Sequence, residues 1–406
     1  MKTILIISAG SEAVPGIQLA KKLGLTVVAS DANPKAPGFE FSDYKIIAST
    51  YDVEETVLAA SKFHKNVQPI HGVICIAADV PLTVATVAAE LDLPGISIDS
   101  AKLAIDKLEM KKRFSADGVP VPWFSSIESY KHLEDLVNAE NFPLVIKPID
   151  SRGSRGVLRL LEQTDLKWAY ETSKKYSPTN CIMLEKFLSG PQVSTESLVI
   201  DGTAYTPGFS DRNYEFLDLY APHIIENGGQ LPSHLDNYTQ KLVRDLIQNA
   251  ASSMGIRNGV VKGDIVINDG KPYVIELAAR LSGGYFCTHE IPLNTGVDLV
   301  GAAMRQALGE IIDPADLKPR FNHPVVQRYM FPTPGKIKSV QLPGWLSSDP
   351  EVSFFELRVD EGDIVQPALN HPARAGVVIT TGSNVPNAIS KAESVISSVK
   401  IITEQL

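Results

Sequence analysis

The sequence predicts an α/β N-terminal domain with a parallel sheet, followed by central and C-terminal regions of the α+β class. Strand-like and helix-like segments alternate over about the first 100 residues, and this βαβ order produces parallel strands. Farther along, consecutive strand-like segments are separated by short turns, which is typical of antiparallel sheets. The chain has 406 residues, enough for roughly two to three domains.

Composition and charge indicate a soluble globular protein that does not bind nucleic acid. Hydrophobic residues make up 44% of the chain and charged residues 21%. The formal net charge of -9 opposes binding to a nucleic-acid backbone, although a local basic pocket for a small phosphorylated ligand is compatible with it. The apolar stretch at residues 73–93 contains Asp79 and Glu90, which a membrane span would not tolerate. The three cysteines form no CxxC pair, so we expect reduced thiols in a cytoplasmic protein.

The N-terminal region begins with a buried strand and not with a signal peptide, because Glu12 follows the first apolar run closely. We predict strands at residues 3–7, 25–30 and 72–77, helices at residues 15–23 and 85–91, and a further strand at Ile96. The segment between Gly10 and Gly16 lacks the GxGxxG pattern of a dinucleotide site. Asp31 is therefore expected to end a strand at the ligand-binding edge of the sheet and not to bind the ribose of NAD.

The rest of the chain alternates fewer helices with more strands. One helix is predicted from Ser100 to Gly118, where the glycine ends it. Predicted strands follow at residues 143–148, 157–161, 181–188 and 193–200, and a long helix covers residues 235–254. The C-terminal region has predicted strands at residues 325–331, 352–359 and 376–380 and a closing helix at residues 388–399.

Lys147 stands alone in an otherwise apolar strand and precedes a loop rich in glycine, serine and arginine. An unpaired buried ammonium is costly, and a polyanionic ligand would neutralise it. The loop at residues 151–156 offers backbone N–H groups that can approach phosphate oxygens closely. It is not a Walker A loop. The alternative is a surface hairpin whose lysine reaches solvent.

The segment from Met183 to Gln192 is a predicted strand that ends in a loop. Backbone groups at such an end can bind the edge of adenine. Glu185 can accept a hydrogen bond from the adenine amino group, and Gln192 can bond a ribose hydroxyl. Many strand-to-loop junctions have this composition, so an ordinary structural role is the alternative.

Asp264 and Glu276 are carboxylates in two apolar strands of a predicted hairpin. With a three-residue turn at residues 269–271, Asn268 pairs with Pro272 and the two carboxylates lie opposite each other, roughly 5 Å apart at Cβ. Carboxylate oxygens that converge in this way suit Mg²⁺. A two-residue turn would instead place the two side chains on opposite faces of the hairpin.

Further polar residues extend the candidate site. Arg280 precedes a turn that is fit to hold a phosphoryl group and consists of Ser282, Gly283 and Gly284. Arg212 is a candidate for binding a substrate carboxylate, with a surface arginine as the alternative. Glu196 is a weaker candidate for orienting Lys147 or the metal.

Ordinary structural roles compete with these assignments. Lys262 could pair with Asp264, and Arg280 with Glu276, as structural salt bridges. His289 is expected to be a packed histidine and not a catalytic one.

Taken in order, these segments resemble the ATP-grasp superfamily. The resemblance is closest to its carboxylate–amine ligase branch, which includes L-amino acid ligases, with biotin carboxylase and glycinamide ribonucleotide synthetase as more distant relatives. It implies an N-terminal parallel α/β domain at residues 1–106 and a central ATP-grasp fold of two α+β subdomains. These are a lid subdomain at residues 107–190 and a metal and substrate subdomain at residues 191–314. A small C-terminal α+β domain is expected at residues 315–406.

The resemblance also implies roles for the motif residues. Lys107 and Lys147 match the two lysines that contact ATP phosphates, and Arg280 matches the arginine near the transferred phosphate, so Lys147 and Arg280 are the expected catalytic residues. Asp264 and Glu276 match the two magnesium carboxylates. The residues expected at the nucleotide are Lys107, Lys147, Ser151, Gly153, Ser154, Gly156, Glu185, Lys186, Phe187, Leu188 and Gln192.

One position departs from the family pattern. Relatives place an asparagine two residues after the second carboxylate as a further metal ligand, and this chain has Ala278 there. Either water replaces that ligand or Glu276 bridges both metals alone, so whether one metal or two bind stays open.

The implied reaction joins a small-molecule carboxylate to a small-molecule amine at the expense of ATP. The carboxylate attacks the γ-phosphate, and the amine then displaces phosphate from the acyl phosphate, with Mg²⁺, or Mn²⁺ in its place, as the metal. The rival functions are a carboxylase of the biotin-carboxylase type, a non-catalytic ATP-binding sensor and a dinucleotide oxidoreductase. We expect a cytoplasmic enzyme. Whether it forms a homodimer stays open.

Overall fold

The N-terminal part of the fold is a four-stranded parallel sheet. The computed structural model describes residues 1–405. The first strands and helices are β1 (Thr3–Ile7), α1 (Val14–Lys22), β2 (Thr26–Asp31), β3 (Tyr44–Ile47), α2 (Val53–Asn66), β4 (Gly72–Ile74) and α3 (Pro81–Glu90). The strand order is β3-β2-β1-β4. All residues of β1 are buried because apolar side chains cover both faces of the sheet.

Two expectations for this region are wrong. Ile96 does not begin a strand, because Ser97 directly after it caps α4 (Ile98–Ile105) by accepting a hydrogen bond from the Ser100 backbone. The single helix expected from Ser100 to Gly118 is two helices. Asp106 is extended and separates α4 from α5 (Lys107–Ala116), whose first N–H groups its carboxylate accepts.

A small antiparallel sheet follows and carries the lysine strand. Its elements are β5 (Phe124–Ile127), α6 (Tyr130–Glu140), β6 (Leu144–Pro148), β7 (Leu158–Leu160), α7 (Leu166–Lys175) and β8 (Ile182–Lys186). The strands are ordered β5-β8-β6-β7, and the two helices pack on an apolar core beneath them. Strand β6, with Lys147, is therefore an inner strand, which explains why its residues are buried on both sides.

The centre of the molecule is an eight-stranded antiparallel sheet. Its elements are β9 (Gln192–Ile200), β10 (Thr203–Arg212), β11 (Gly229–Leu231), α8 (Asn237–Ser253), β12 (Gly259–Asn268), β13 (Lys271–Ala278), α9 (Ile291–Thr295), α10 (Leu299–Ala307) and β14 (Val325–Met330). The sheet is completed by strands β16 (Val352–Leu357) and β18 (Gly376–Thr381), in the order β13-β12-β9-β10-β11-β14-β18-β16. The sheet contains strands from both sides of residue 314, so the expected domain division stays a prediction.

The chain ends in a small sheet beside α11 (Val385–Ser398). That sheet has the order β17-β15-β19, with β15 (Gly335–Gln341), β17 (Ile364–Val365) and β19 (Lys400–Glu404). The expected combination of an α/β N-terminal region with α+β architecture beyond it is confirmed. No helix within residues 1–405 is both long and apolar enough to span a bilayer.

Candidate active site

A cavity of about 630 Å³ lies where the three larger sheets meet. The predicted site residues that line it are Lys107, Lys147, Ser151, Gly153, Ser154, Glu185, Lys186, Phe187, Leu188, Gln192, Arg212, Asp264, Glu276, Arg280, Ser282, Gly283 and Gly284. Gly156 is the one member of the predicted set outside this lining. The fold thus brings motifs separated by up to 177 residues (from Lys107 to Gly284) to one place.

Lys147 belongs to a buried charge triad. Its ammonium pairs with one oxygen of the Glu185 carboxylate, and the Lys111 Nζ pairs with the other oxygen at 3.0 Å. Burial would raise the pKa of Glu185, but the two ammonium groups lower it below its usual range. Two lysines share one carboxylate, so one positive charge of the triad is left for a ligand in the cavity.

The Glu185 side chain does not have the predicted geometry for adenine. The sequence suggested that its carboxylate could accept from the adenine amino group, whereas the structure places that carboxylate between two lysines. The neighbouring Lys186 ammonium donates to the Glu140 and Asn141 carbonyls at the end of α6. The backbone groups and the Phe187 and Leu188 side chains of this segment are left to meet a base.

Lys107 is the first residue of α5 because Asp106 interrupts the helical run. Its backbone N–H donates to the Ile149 carbonyl, and its ammonium donates to the Ser151 carbonyl at 2.7 Å. The same ammonium lies 3.2 Å from Glu276. Lys107 therefore joins the loop after β6 to the hairpin that carries the paired carboxylates.

The loop at residues 151–156 is folded over the cavity and contacts three other segments. The Ser154 hydroxyl donates to the Ile224 carbonyl at 2.7 Å, and the Gly153 carbonyl accepts from the His371 N–H. The Arg152 guanidinium stacks on Tyr51, 4.1 Å from the ring centre. Gly153 and Ser154 both have positive φ angles, which turn the loop towards the cavity.

Asp264 and Glu276 lie opposite each other as expected, but for a different reason. The turn has two residues and not three, since Asn268 pairs with Lys271. A two-residue turn alone would separate the carboxylates onto opposite faces. A β-bulge restores the register: Ile265 pairs with Val274 and Asp264 with Glu276, so the intervening residue of β13 is unpaired.

Asp264 is held by three donors. The Arg212 guanidinium lies 2.8 Å from its carboxylate, the Ser194 hydroxyl donates to it at 3.0 Å, and Lys262 pairs with it directly. Burial raises the pKa of Asp264, but Arg212 and Lys262 outweigh this and hold it well below its usual range. Asp264 therefore both forms the salt bridge with Lys262 and lines the cavity.

Arg212 is not an isolated substrate anchor, because it also pairs with Glu226. Its guanidinium is consequently held by two carboxylates, although it still lines the cavity.

Arg280 pairs with Asp79 and not with Glu276. Its Nε lies 3.2 Å from the Asp79 carboxylate, which fixes the end of β13 against the N-terminal sheet. Burial opposes the charge on Asp79, but the nearby Arg280 and Lys107 lower its pKa. The residues after Arg280 are held in a similar way: Glu12 accepts from the Gly284 N–H at 2.7 Å.

Three minor expectations have clear outcomes. Glu196 does not contact Lys147. Its carboxylate accepts from both the backbone N–H and the hydroxyl of Ser282. His289 is packed between the Tyr285 and Phe354 rings, as expected. Asp31 ends β2, and its carboxylate accepts from backbone N–H groups in nearby loops.

Sequence reasoning missed several residues of this cavity or its supports. Four residues that line the cavity were not predicted: Glu12, Glu290, Arg358 and His371. Lys111 was also missed, and it contributes by pairing with Glu185. Lys111 lies four residues after Lys107 on the same helix, and this spacing is the one signal that could have indicated it. The other four lie outside any motif.

Comparison with known protein families decides what the cavity belongs to. Residues 104–284 match the model described as ATP-grasp domain, and residues 328–404 match L-amino acid ligase C-terminal domain 2. Residues 104–284 form an ATP-grasp domain. Most of the cavity lining lies in the two matched regions, from Lys107 to Gly284 and from Tyr329 to Arg374.

Solved ATP-grasp structures resemble the whole chain. L-amino acid ligase from Bacillus licheniformis superposes with a TM-score of 0.84 at 20% identity, covering 100% of this chain and 99% of that one. Phosphoribosylglycinamide synthetase from Anaerococcus prevotii superposes with a TM-score of 0.77 at 16% identity, covering 99% of this chain and 100% of that one. Biotin carboxylase from Campylobacter jejuni superposes with a TM-score of 0.74 at 18% identity, covering 100% of this chain and 92% of that one. The predicted ATP-grasp fold is confirmed.

Sequence relatives match over shorter lengths. D-alanine–D-alanine ligase from Gloeobacter violaceus is 27% identical over 200 residues, which cover 46% of this chain and 63% of that protein. An uncharacterized protein of Sinorhizobium fredii is 26% identical over 252 residues, which cover 59% of this chain and 49% of that protein. The chain thus spans about half to two thirds of the length of these relatives.

The paired carboxylates of this ATP-grasp site fit a divalent metal. Asp264 and Glu276 share one face of the hairpin and both line the cavity. No cluster of three or more potential protein ligands occurs in the described part of the chain. Two carboxylates without an all-protein cage suit Mg²⁺, which keeps several waters and binds substrate phosphates. Ala278, also in the lining, supplies no ligand.

Proposed function

We propose that this protein is an ATP-dependent carboxylate–amine ligase that forms an amide through an acyl phosphate and releases ADP and phosphate. The observation that carries the proposal is the convergence of Lys107, Lys147 and Arg280 with the paired carboxylates Asp264 and Glu276 on one cavity. The basic groups suit the negative charge of a triphosphate, and the carboxylates suit its metal. Without such a ligand, the like charges within each set would repel one another.

The nucleotide is proposed to lie between the small sheet and the large one. The triphosphate would meet Lys107, Lys147 and the N–H groups of the loop containing Ser151, Gly153 and Ser154. The adenine would meet backbone groups from Lys186 to Leu188, and Gln192 would bond the ribose. The net positive charge of the Lys111–Glu185–Lys147 triad supports this placement, because a buried excess charge is stable only beside an anion.

Two bond exchanges complete the reaction. A substrate carboxylate oxygen attacks the γ-phosphorus, and the bond to the ADP oxygen breaks. The amine nitrogen then attacks the acyl carbon, phosphate leaves, and the nitrogen gives up a proton. Lys147 and Arg280 stabilise the charge that spreads over the transferred phosphoryl group, and positioning supplies most of the rate. Asp264 and Glu276 would hold Mg²⁺, or Mn²⁺ in its place, which neutralises phosphate charge when bound.

The substrates are proposed to be small molecules in a reducing, cytoplasmic setting. The free thiols of Cys75, Cys181 and Cys287 support that compartment. The part of the cavity lined by Arg212 and the turn from Ser282 to Gly284 is the proposed carboxylate-binding region. A homodimer is compatible with this proposal and is not required by it.

A carboxylase of the biotin-carboxylase type is the alternative activity. The match of residues 328–404 to an L-amino acid ligase domain favours the ligase, as does the higher TM-score with L-amino acid ligase. A sensor without turnover would bind ATP and release no phosphate.

The test is phosphate release with ATP and Mg²⁺, screened against panels of amino acids, small acids and amines. We expect release that depends on both a carboxylate and an amine. K147A, D264N and E276Q should abolish it and keep the circular dichroism of the native fold. The matched controls K112A, D269N and E109Q change exposed residues of the same types and should keep full turnover. Unchanged turnover in all three site variants would end the proposal.

A further inference from the structure

Glu290 is a buried carboxyl group that faces the cavity without a partner. It ends a short helical turn (Phe286–Glu290) that leads into α9, and it is 3% exposed. Its side chain lines the cavity, yet its carboxyl group makes no hydrogen bond or ion pair with any residue from 1 to 405. A buried carboxyl group in a folded protein normally has a hydrogen-bonding partner, so this one needs a partner that comes from outside the chain.

The charges around Glu290 make a bound cation more favourable still. Burial raises its pKa to about 8, and the Glu226 and Glu196 carboxylates add to this effect. Arg328 is the basic residue that acts against it, but its guanidinium donates to the Gly229 and Gln327 carbonyls. Glu290 therefore has two carboxylates acting on it and no basic partner of its own among the described residues.

Lys107 and Lys147 line the part of the cavity proposed for the triphosphate, and their charges attract an anion. Glu290 belongs to the same lining but has no basic partner, and the two carboxylates that act on it, Glu226 and Glu196, are themselves bound by Arg212 and Ser282. A ligand that carries a positive charge is the partner that would let Glu290 ionise.

We propose that Glu290 is a specificity-determining residue that binds a substituted ammonium group of a substrate. This inference rests on the proposed ligase function and deepens it. The ammonium has two sources: the molecule that supplies the carboxylate, which would then be an amino acid, or the amine substrate in its protonated form. A charge-assisted hydrogen bond at this buried position would select ammonium compounds over neutral ones of the same shape.

The experiment compares wild type with E290Q, which keeps the shape of the side chain and cannot ionise beside a bound cation. Each member of the best substrate pair from the phosphate-release screen is varied at saturating ATP. Each is also compared with its analogue without the ammonium group, such as propanoate for L-alanine, with hydroxylamine trapping the activated acid. If no pair turns over, the same compounds are titrated calorimetrically against protein with ADP. E310Q, at an exposed glutamate, is the matched control.

We expect E290Q to raise KM, or Kd, for the ammonium-bearing substrate by roughly 10- to 100-fold, with a smaller effect on kcat and none on KM for ATP. Its preference for ammonium compounds over their neutral analogues should disappear. The substrate whose KM rises identifies the source of the ammonium. Unchanged KM and preference in E290Q overturn the inference, as does a uniform rise in every KM with a lower melting temperature. The ligase proposal survives either failure as long as turnover depends on both substrates.

Discussion

Replacing Glu185 by glutamine tests the buried charge triad most sharply. The variant keeps the shape of the side chain and leaves the ammonium groups of Lys111 and Lys147 without a counter-charge. These lysines are 1% and 4% exposed, so water cannot replace the lost carboxylate. Removing one partner from a buried ion pair costs roughly 3–5 kcal/mol of folding free energy, and E185Q breaks two pairs at once. We expect a loss in that range at pH 7.

The measurement is urea unfolding of E185Q beside E109Q. Glu109 pairs with Lys112 at 2.7 Å, but both side chains are more than half exposed, so this second change should cost about 0.2–1 kcal/mol. Burial lowers the pKa of Lys111 to about 8 despite the opposing effect of Glu185, and removing Glu185 should lower it further. The cost of E185Q should therefore shrink as the pH rises towards about 8, where Lys111 becomes neutral in both folded proteins, and should change little above it. Equal losses in the two variants would refute the claim that the triad is a desolvated charge cluster.

Further predictions concern stability against pH and the start of α5. Burial raises the pKa of Glu196 to about 7 although its hydrogen bonds to Ser282 lower it, so ionisation penalises the folded state. Wild type should therefore lose up to ~3 kcal/mol relative to E196Q as the pH rises from about 4.5 to 7, and parallel melting profiles for the two proteins would contradict this. D106A removes the cap of α5 and should cost about 1 kcal/mol and raise KM for ATP, since Lys107 begins that helix. D236A removes the cap of α8 at a similar cost and should leave KM for ATP unchanged. A rise in KM for ATP in both variants would mean that loss of either helix cap disturbs the nucleotide site, and not the loss at α5 alone.

The fold could be predicted from sequence wherever a local pattern was sufficient. The strand at β1 and the long helix α8 follow from unbroken apolar runs and a helical stripe. The strand expected at Ile96 does not form, because Ser97 caps α4 directly after this short β-like run. The break at Asp106 was missed because a helical pattern continues on both sides of it.

The candidate site shows the same limit. The pairing of Asp264 with Glu276 was expected from a turn that does not exist, and the actual register depends on a bulge that no short-range signal marks. Apart from its spacing from Lys107, nothing in the sequence marks Lys111, and nothing marks Glu290, because groups from distant strands form the surroundings of both residues. Motif residues were found because their chemistry is unusual for their local pattern, such as a lysine or an acid within an apolar strand.

The most direct test of the acyl-phosphate route follows oxygen from the substrate into phosphate. The carboxylate substrate of the best pair is labelled with ¹⁸O in both oxygens and turned over with ATP, Mg²⁺ and the amine in unlabelled water. Attack of a carboxylate oxygen on the γ-phosphorus requires one labelled oxygen in each phosphate released, with the other label kept in the amide. Unlabelled phosphate formed in step with the amide would contradict the mechanism proposed for this cavity.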